Sequence, residues 1–222
     1  TSRMVSKSVY SAKVVLVGAS GVGKTCIAKR YAENRFEAAA TTTIVATYVS
    51  RTVDLAQYKL QLEIWDTAGQ ERFHSLAFMC PPSRLHLTPH RYYRKAAAAV
   101  IVYDITRAET LAAAQGWLSE LKSEGHADMP IVLCGNKVDK GADRKVSTED
   151  GLAFAREHHL HFFETSAASG AQISEAFHAL ASAIPRSLMA DDDDENELSQ
   201  KDLVSLRSSI DRGDDKQSKG CC

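Results

Sequence analysis

The chain of 222 residues is nearly neutral, with 27 Lys and Arg against 28 Asp and Glu, and 44% of it is hydrophobic. That length suits one globular domain with room for a tail, and that charge excludes a broad nucleic-acid-binding surface. Five scattered cysteines exclude a disulfide scaffold, and no apolar run reaches the roughly 20 residues of a membrane span, so a reducing, cytosolic compartment is expected.

Residues 1–12 are polar and aperiodic and read as a flexible leader. A buried strand is predicted over 14–17, apolar on both faces as central parallel strands are. It runs into Gly18-Ala19-Ser20-Gly21-Val22-Gly23-Lys24-Thr25, a phosphate-binding loop, and then a helix over 26–32. Backbone N–H groups from Ser20, Gly21, Val22 and Gly23 through Lys24, Thr25 and Cys26 can point at polyphosphate oxygens, and the helix adds its positive end. Lys24 is placed to reach the β- and γ-phosphates, and the Thr25 hydroxyl to ligate Mg²⁺. Strand, spacing and ending together predict a site for a nucleoside triphosphate.

Residues 34–43 read as a loop. Alternating runs over 47–55 and 59–64, joined by a short connection, predict a hairpin and hence an antiparallel sheet edge. The second run leads into Trp65-Asp66-Thr67-Ala68-Gly69-Gln70. A carboxylate at a strand end beside the phosphate loop can hold Mg²⁺; the Gly69 N–H can meet a γ-phosphate and Gln70 can orient an attacking water. Strand and helix then alternate. A buried strand is expected over 97–103 and a helix from a Thr106–Glu109 capping box to about Lys122, with Leu111, Ala114, Leu118 and Leu121 on one stripe. A strand over 131–134 follows, then a helix opened by Ser147 and running through His158, a short strand over 161–163, and a last helix striped by Ile173, Phe177, Leu180 and Ile184 and ended by Pro185. This order predicts an α/β, P-loop fold with a mostly parallel six-stranded sheet, one antiparallel edge strand and helices on both faces.

Asn136-Lys137-Val138-Asp139 follows the strand over 131–134. The Asp139 carboxylate can accept from the N1–H and 2-amino group of guanine, donors that adenine lacks. Lys137 can lie over the base, and Asn136 can tie loops together.

With these motifs in order, the chain resembles the Rab family of Ras-like small GTPases over 13–185. Trp65 through Phe73, His74-Ser75-Leu76, Tyr92-Tyr93-Arg94 and Trp117 look most like its early-endosomal branch. The resemblance implies that Thr43 is the switch threonine that binds Mg²⁺ and senses the γ-phosphate. It implies that Phe36 packs against guanine, and that Ser166 and Ala167 form the last guanine element, with the Ala167 N–H on the base carbonyl. It further implies a slow GTPase switch, active with GTP and off with GDP, with Mg²⁺ as cofactor. The partners implied are an exchange factor, a GTPase-activating protein, effectors, a Rab escort protein and a GDP-dissociation inhibitor. Cys221-Cys222 resembles the doubly prenylated Rab terminus, and two lipid chains anchor a protein stably to a membrane, here the cytoplasmic face of early endosomes.

Three features depart from the pattern. Residues 78–91 have no counterpart in the family and read as an insertion in switch II: a functional loop, a disordered one, or an untrimmed intron. Val45 stands where the family has glycine, and Ala168 replaces the lysine of Ser-Ala-Lys, which is expected to weaken guanine binding. Gln70 and Thr43 favour a hydrolysing switch. The insertion and Val45 favour the alternative, a non-hydrolysing guanine-nucleotide scaffold. Beyond Pro185 the composition turns acidic and polar, and residues 186–222 are expected to be a disordered tail.

Overall fold

A computed structural model describes residues 7–37, 47–66 and 95–191. The chain divides into a unit of residues 1–189 and one of 190–222; of the second, only the two-residue strand Ala190–Asp191 is described.

In the first unit six strands and four α-helices are described: β1 Val9–Val17, α1 Lys24–Glu33, β2 Thr47–Asp54, β3 Lys59–Asp66, β4 Ala98–Asp104, α2 Ala108–Glu124, β5 Ile131–Asn136, α3 Thr148–His158, β6 His161–Thr165 and α4 Ile173–Ala183. The strands lie in the order β2-β3-β1-β4-β5-β6. Among these six strands the β2/β3 pair alone is antiparallel; β1 pairs in parallel with β3 and β4, β4 with β5, and β5 with β6. The six-stranded sheet with one antiparallel edge strand is therefore the fold expected.

Alternation along the central strands sorts the core. Val14 and Leu16 of β1 and Val100 and Val102 of β4 share a cluster with Ile27, Ala28 and Tyr31 of α1 and Phe177 and Leu180 of α4. Tyr31 stacks on Phe177 with ring centroids 4.0 Å apart, joining the two helices over the sheet. Phe177 is 1% exposed, and truncating it to alanine would cost about 3–5 kcal/mol. On the other face, Tyr103 of β4 packs so closely against α3 that a Cβ on Gly151 would lie 2.4 Å from its hydroxyl oxygen.

Several element boundaries differ from the expectation. Strand β1 begins at Val9, inside the stretch read as leader, because Val9–Leu16 pair with Lys59–Asp66 of β3 whatever their polarity. At the far end α4 stops at Ala183, yet the chain stays packed through a 3₁₀ turn over Arg186–Leu188, and Met189 is buried in the core. The capping box predicted for α2 does not form. The Asp104 carboxylate takes both the Thr106 hydroxyl (2.7 Å) and its N–H (2.9 Å), and Arg107 occupies the cap position without a side-chain bond to the helix's first N–H groups. The buried stripe of α2 is Thr110, Ala114, Trp117, Leu118 and Leu121; Leu111 is only half-buried.

Candidate functional site

Strand ends place the polar residues. Asp66 closes β3, Asp104 closes β4, Asn136 closes β5 and Thr165 closes β6, and all four are buried, as are Lys24 and Ser166. A buried polar group is costly unless it is bonded. Their collection at the carboxyl end of one sheet marks the place where a parallel sheet receives a ligand.

The phosphate loop is held there by two close approaches. At Gly18 the backbone has φ 138°, and a Cβ would lie 2.1 Å from the Val102 carbonyl oxygen of β4. At Gly23 φ is 101°, and a Cβ would lie 2.4 Å from Asn136 Nδ2. Gly23 is also the N-cap of α1, with no side-chain cap bond. Helix α1 starts at Lys24, two residues earlier than expected, so Lys24 and Thr25 are in its first turn. Lys24 Nζ donates to the Gly18 and Ala19 carbonyls at 2.6 and 3.0 Å, which keeps the ammonium inside the loop.

The Thr25 hydroxyl donates to Asp66 Oδ2 at 2.5 Å, and Asp66 is fully buried. A hydroxyl and a buried carboxylate are hard oxygen donors and fit Mg²⁺, which takes oxygen ligands and retains several waters. Thr25 and Asp66 would hold it, and the ion would there neutralise charge on phosphate oxygens. Next to Thr25, the half-buried Cys26 has its thiol pushed up by burial and by the Asp66 carboxylate, so it stays protonated. Thr43, Gly69, Gln70, Cys221, Cys222, Val45 and the 78–91 insertion lie outside the described residues.

On the base side, Asn136 is the junction. Its Nδ2 donates to the Val22 carbonyl at 2.8 Å, and its Oδ1 accepts from the Ala167 N–H at 3.2 Å and the Thr165 hydroxyl at 3.4 Å. A base carbonyl reaching Ala167 would share that N–H. Lys137, held in left-handed backbone, donates to the Gly21 carbonyl at 2.7 Å and pairs with Asp104 at 2.7 Å. The buried Ser166 hydroxyl donates to Asp139 Oδ1 at 2.5 Å and accepts the Ser169 N–H at 3.0 Å, which fixes the direction of the exposed Asp139 carboxylate. Phe36 is 41% exposed, the one large hydrophobic side chain so exposed among the described residues, and offers a ring to a flat ligand.

Three residues outside every motif also belong to this end. Arg30 donates from Nε to the Ala167 carbonyl (2.7 Å) and from Nη2 to the Ala168 carbonyl (2.6 Å), with its guanidinium 5.9 Å from the Phe36 ring. Ala167 and Ala168 are over 130 residues away, so no local pattern points to these bonds. Asp104 has a readable signal, a carboxylate ending a buried strand, the same feature that singles out Asp66; Arg107 reaches the Ser20 carbonyl 87 residues away and has none. Burial pushes the Asp104 carboxyl up, but the bonds from Lys137 and Thr106 outweigh it and hold it below the usual carboxylate range.

Together the sheet order and the glycine-lysine loop define a P-loop G domain. The Ras family model matches residues 13–186, and the chain belongs to the Ras family of small GTPases. It is 42% identical over 176 residues to the Ras-related protein Rab5 of Nicotiana tabacum, covering 79% of this chain and 82% of that protein. It is 41% identical over 169 residues to the Ras-related protein Rab-13 of Canis lupus familiaris (76% and 77% covered), and 40% identical over 176 residues to the Ras-related protein RABF2b of Arabidopsis thaliana (79% and 82%). As a Rab-like member of the family it is a small GTPase, converting GTP and water to GDP and phosphate.

Proposed function

We propose that this GTPase is a switch of endocytic vesicle traffic, on with GTP and off with GDP, anchored to the cytoplasmic face of early endosomes through prenylated Cys221 and Cys222. In this reading the amides of residues 20–26 and Lys24 hold the phosphates. Thr25, Asp66 and Thr43 hold Mg²⁺. Asn136, Lys137, Asp139, Ser166, Ala167 and Phe36 hold guanine, and Gln70 orients the attacking water with the Gly69 N–H at the γ-phosphate. The observation that supports the nucleotide site is Asn136, one side chain bonded to the phosphate loop at Val22 and, through Thr165 and Ala167, to the end of β6 and the loop after it. An Asp139 carboxylate aligned by Ser166 then has both lone-pair-bearing oxygens to offer the two guanine donors, and adenine would leave them unmatched.

Loss of the γ-phosphate releases switch segments that it held, which is how hydrolysis becomes a signal to effectors. An activating protein that supplies an arginine would raise the slow intrinsic rate by roughly 10³–10⁵. The nucleotide that co-purifies, followed by single-turnover hydrolysis, tests the reading: bound GDP and slow, stimulable turnover are expected. Retained GTP without turnover would overturn the switch. For the anchor, Cys221→Ser with Cys222→Ser is expected to abolish recovery in the membrane fraction, and unchanged recovery would refute it.

A further inference from the structure

Three consecutive peptide units of the phosphate loop have their carbonyls tied to side chains from elsewhere in the fold. The Ser20 carbonyl accepts from Arg107 Nη2 at 2.9 Å, the Gly21 carbonyl from Lys137 Nζ at 2.7 Å, and the Val22 carbonyl from Asn136 Nδ2 at 2.8 Å. In a planar trans peptide the C=O of one residue and the N–H of the next point in opposite directions. Holding those three carbonyls therefore turns the N–H groups of Gly21, Val22 and Gly23 to the opposite side, as an anion-binding row of amides requires.

We propose that Arg107 is a positioning residue of the phosphate loop and sets how long the nucleotide stays bound. Lys137 and Asn136 belong to the guanine motif; Arg107 belongs to none. It holds the Ser20 carbonyl, the first of the row. Its aim comes from Asp104: Arg107 Nε meets Oδ2 at 3.3 Å, the same oxygen that Lys137 meets at 2.7 Å, while Oδ1 is occupied by the Thr106 hydroxyl and N–H. The Asp104 side chain is 2% exposed and that of Arg107 36%, so a rigid buried carboxylate aims a cation that reaches out over the loop. One carboxylate thus fixes both cations, and through them two adjacent peptide units. The planar guanidinium can serve Asp104 and Ser20 at once from two different nitrogens, whereas an ammonium on a shorter reach serves them less well.

The inference rests on the reading of this loop as the phosphate site. Release of a fluorescent GDP analogue would be timed for the wild type, Arg107→Met and Arg107→Lys, each loaded with Mg²⁺, with the matching GMP analogue in parallel. Losing one charge-assisted hydrogen bond to the loop is expected to speed GDP release about tenfold in Arg107→Met. Arg107→Lys should fall between, and GMP release should change less, because fewer phosphate oxygens use the row of amides. A change in release with the same factor for GDP and GMP would indicate general loosening and overturn the positioning role. Unchanged GDP release in Arg107→Met, from a wild type that retains GDP, would overturn it as well. A wild type that retains no guanine nucleotide would instead overturn the reading of the site itself.

Discussion

Helices α1 and α3 start in opposite ways. At α3, Ser147 is the N-cap: its hydroxyl oxygen accepts the Asp150 N–H at 3.0 Å, and Asp150 reaches back to the Ser147 N–H at 3.4 Å. Glu149 and Asp150 add negative charge to the first turn, facing the positive end of the helix. At α1 the cap is Gly23, which has no side chain, and the first turn holds no acid but Lys24 and Thr25. A helix start leaves several N–H groups without an intrahelical partner. The chain satisfies those of α3 from within and places those of α1 beside a buried lysine and a hydroxyl aimed at a carboxylate. The difference teaches that an anion site is built by withholding the usual cap as much as by adding ligands.

The strongest way to break this contrast is Gly18→Ala. A Cβ 2.1 Å from the Val102 carbonyl oxygen, on a backbone at φ 138°, cannot be accommodated by side-chain movement, because the obstacle is the backbone of a central strand. We expect a loss of at least about 3 kcal/mol in stability, measured by denaturant unfolding, with little folded protein recovered. Next is Gly23→Ser, which installs at α1 the cap that α3 has. Position 23 needs left-handed backbone, and the new Cβ would be 2.4 Å from Asn136 Nδ2, so the cap would displace the side chain that joins the phosphate loop to the base side. The expected result is about a hundredfold weaker GDP binding, from roughly 1–3 kcal/mol of backbone strain plus the disturbed Asn136 bonds. Affinity titration of GDP checks it; wild-type affinity would mean that the bare cap of α1 is not required.

The contrast between the two helix starts also explains what the sequence discloses. Everything that depends on contiguous residues is legible: the strand before Gly18, the Lys24-Thr25 ending, Asn136 through Asp139, the Ser147 helix start and the order of strands. The continuous apolar runs of β1 and β4 are enough to predict a sheet covered on both faces. What is not legible lives in contacts between distant segments. Arg30 on the carbonyls of Ala167 and Ala168, and Arg107 on Ser20, are ordinary surface arginines until the sheet brings their partners close. The same limit produced the false capping box. Thr106 and Glu109 have the right spacing, but Asp104, two residues before Thr106, offers the hydroxyl a better acceptor, one fixed by its pair with Lys137. Likewise β1 starts five residues before its apolar run, because strand pairing is made by the backbone and does not ask for hydrophobic side chains at the sheet's end.

The smallest effect is expected from Ser147→Ala, and it tests whether the two helix starts are separable. Removing the hydroxyl takes away the acceptor of the Asp150 N–H and the partner of its carboxylate. Ser147 and Asp150 are in contact with water at this surface, so solvent replaces part of the loss, and Glu149 still faces the helix end. A cost of about 1 kcal/mol follows, seen as a fall of about 2–4 °C in Tm for a domain of this size. GDP release should stay within about twofold of wild type by the same reasoning that sets additivity for separated sites. The loop between Asp139 and Ser147 is pinned before it reaches the helix: the Lys145 and Val146 N–H groups both donate to the Ile105 carbonyl, at 2.8 and 3.0 Å, and Arg144 bonds Glu164 through both terminal guanidinium nitrogens. Those bonds absorb a disturbance at Ser147 before it reaches Asp139. If release instead accelerates in step with the loss of stability, the cap of α3 is part of the base site, and the division between a start that holds itself and a start that holds a ligand fails.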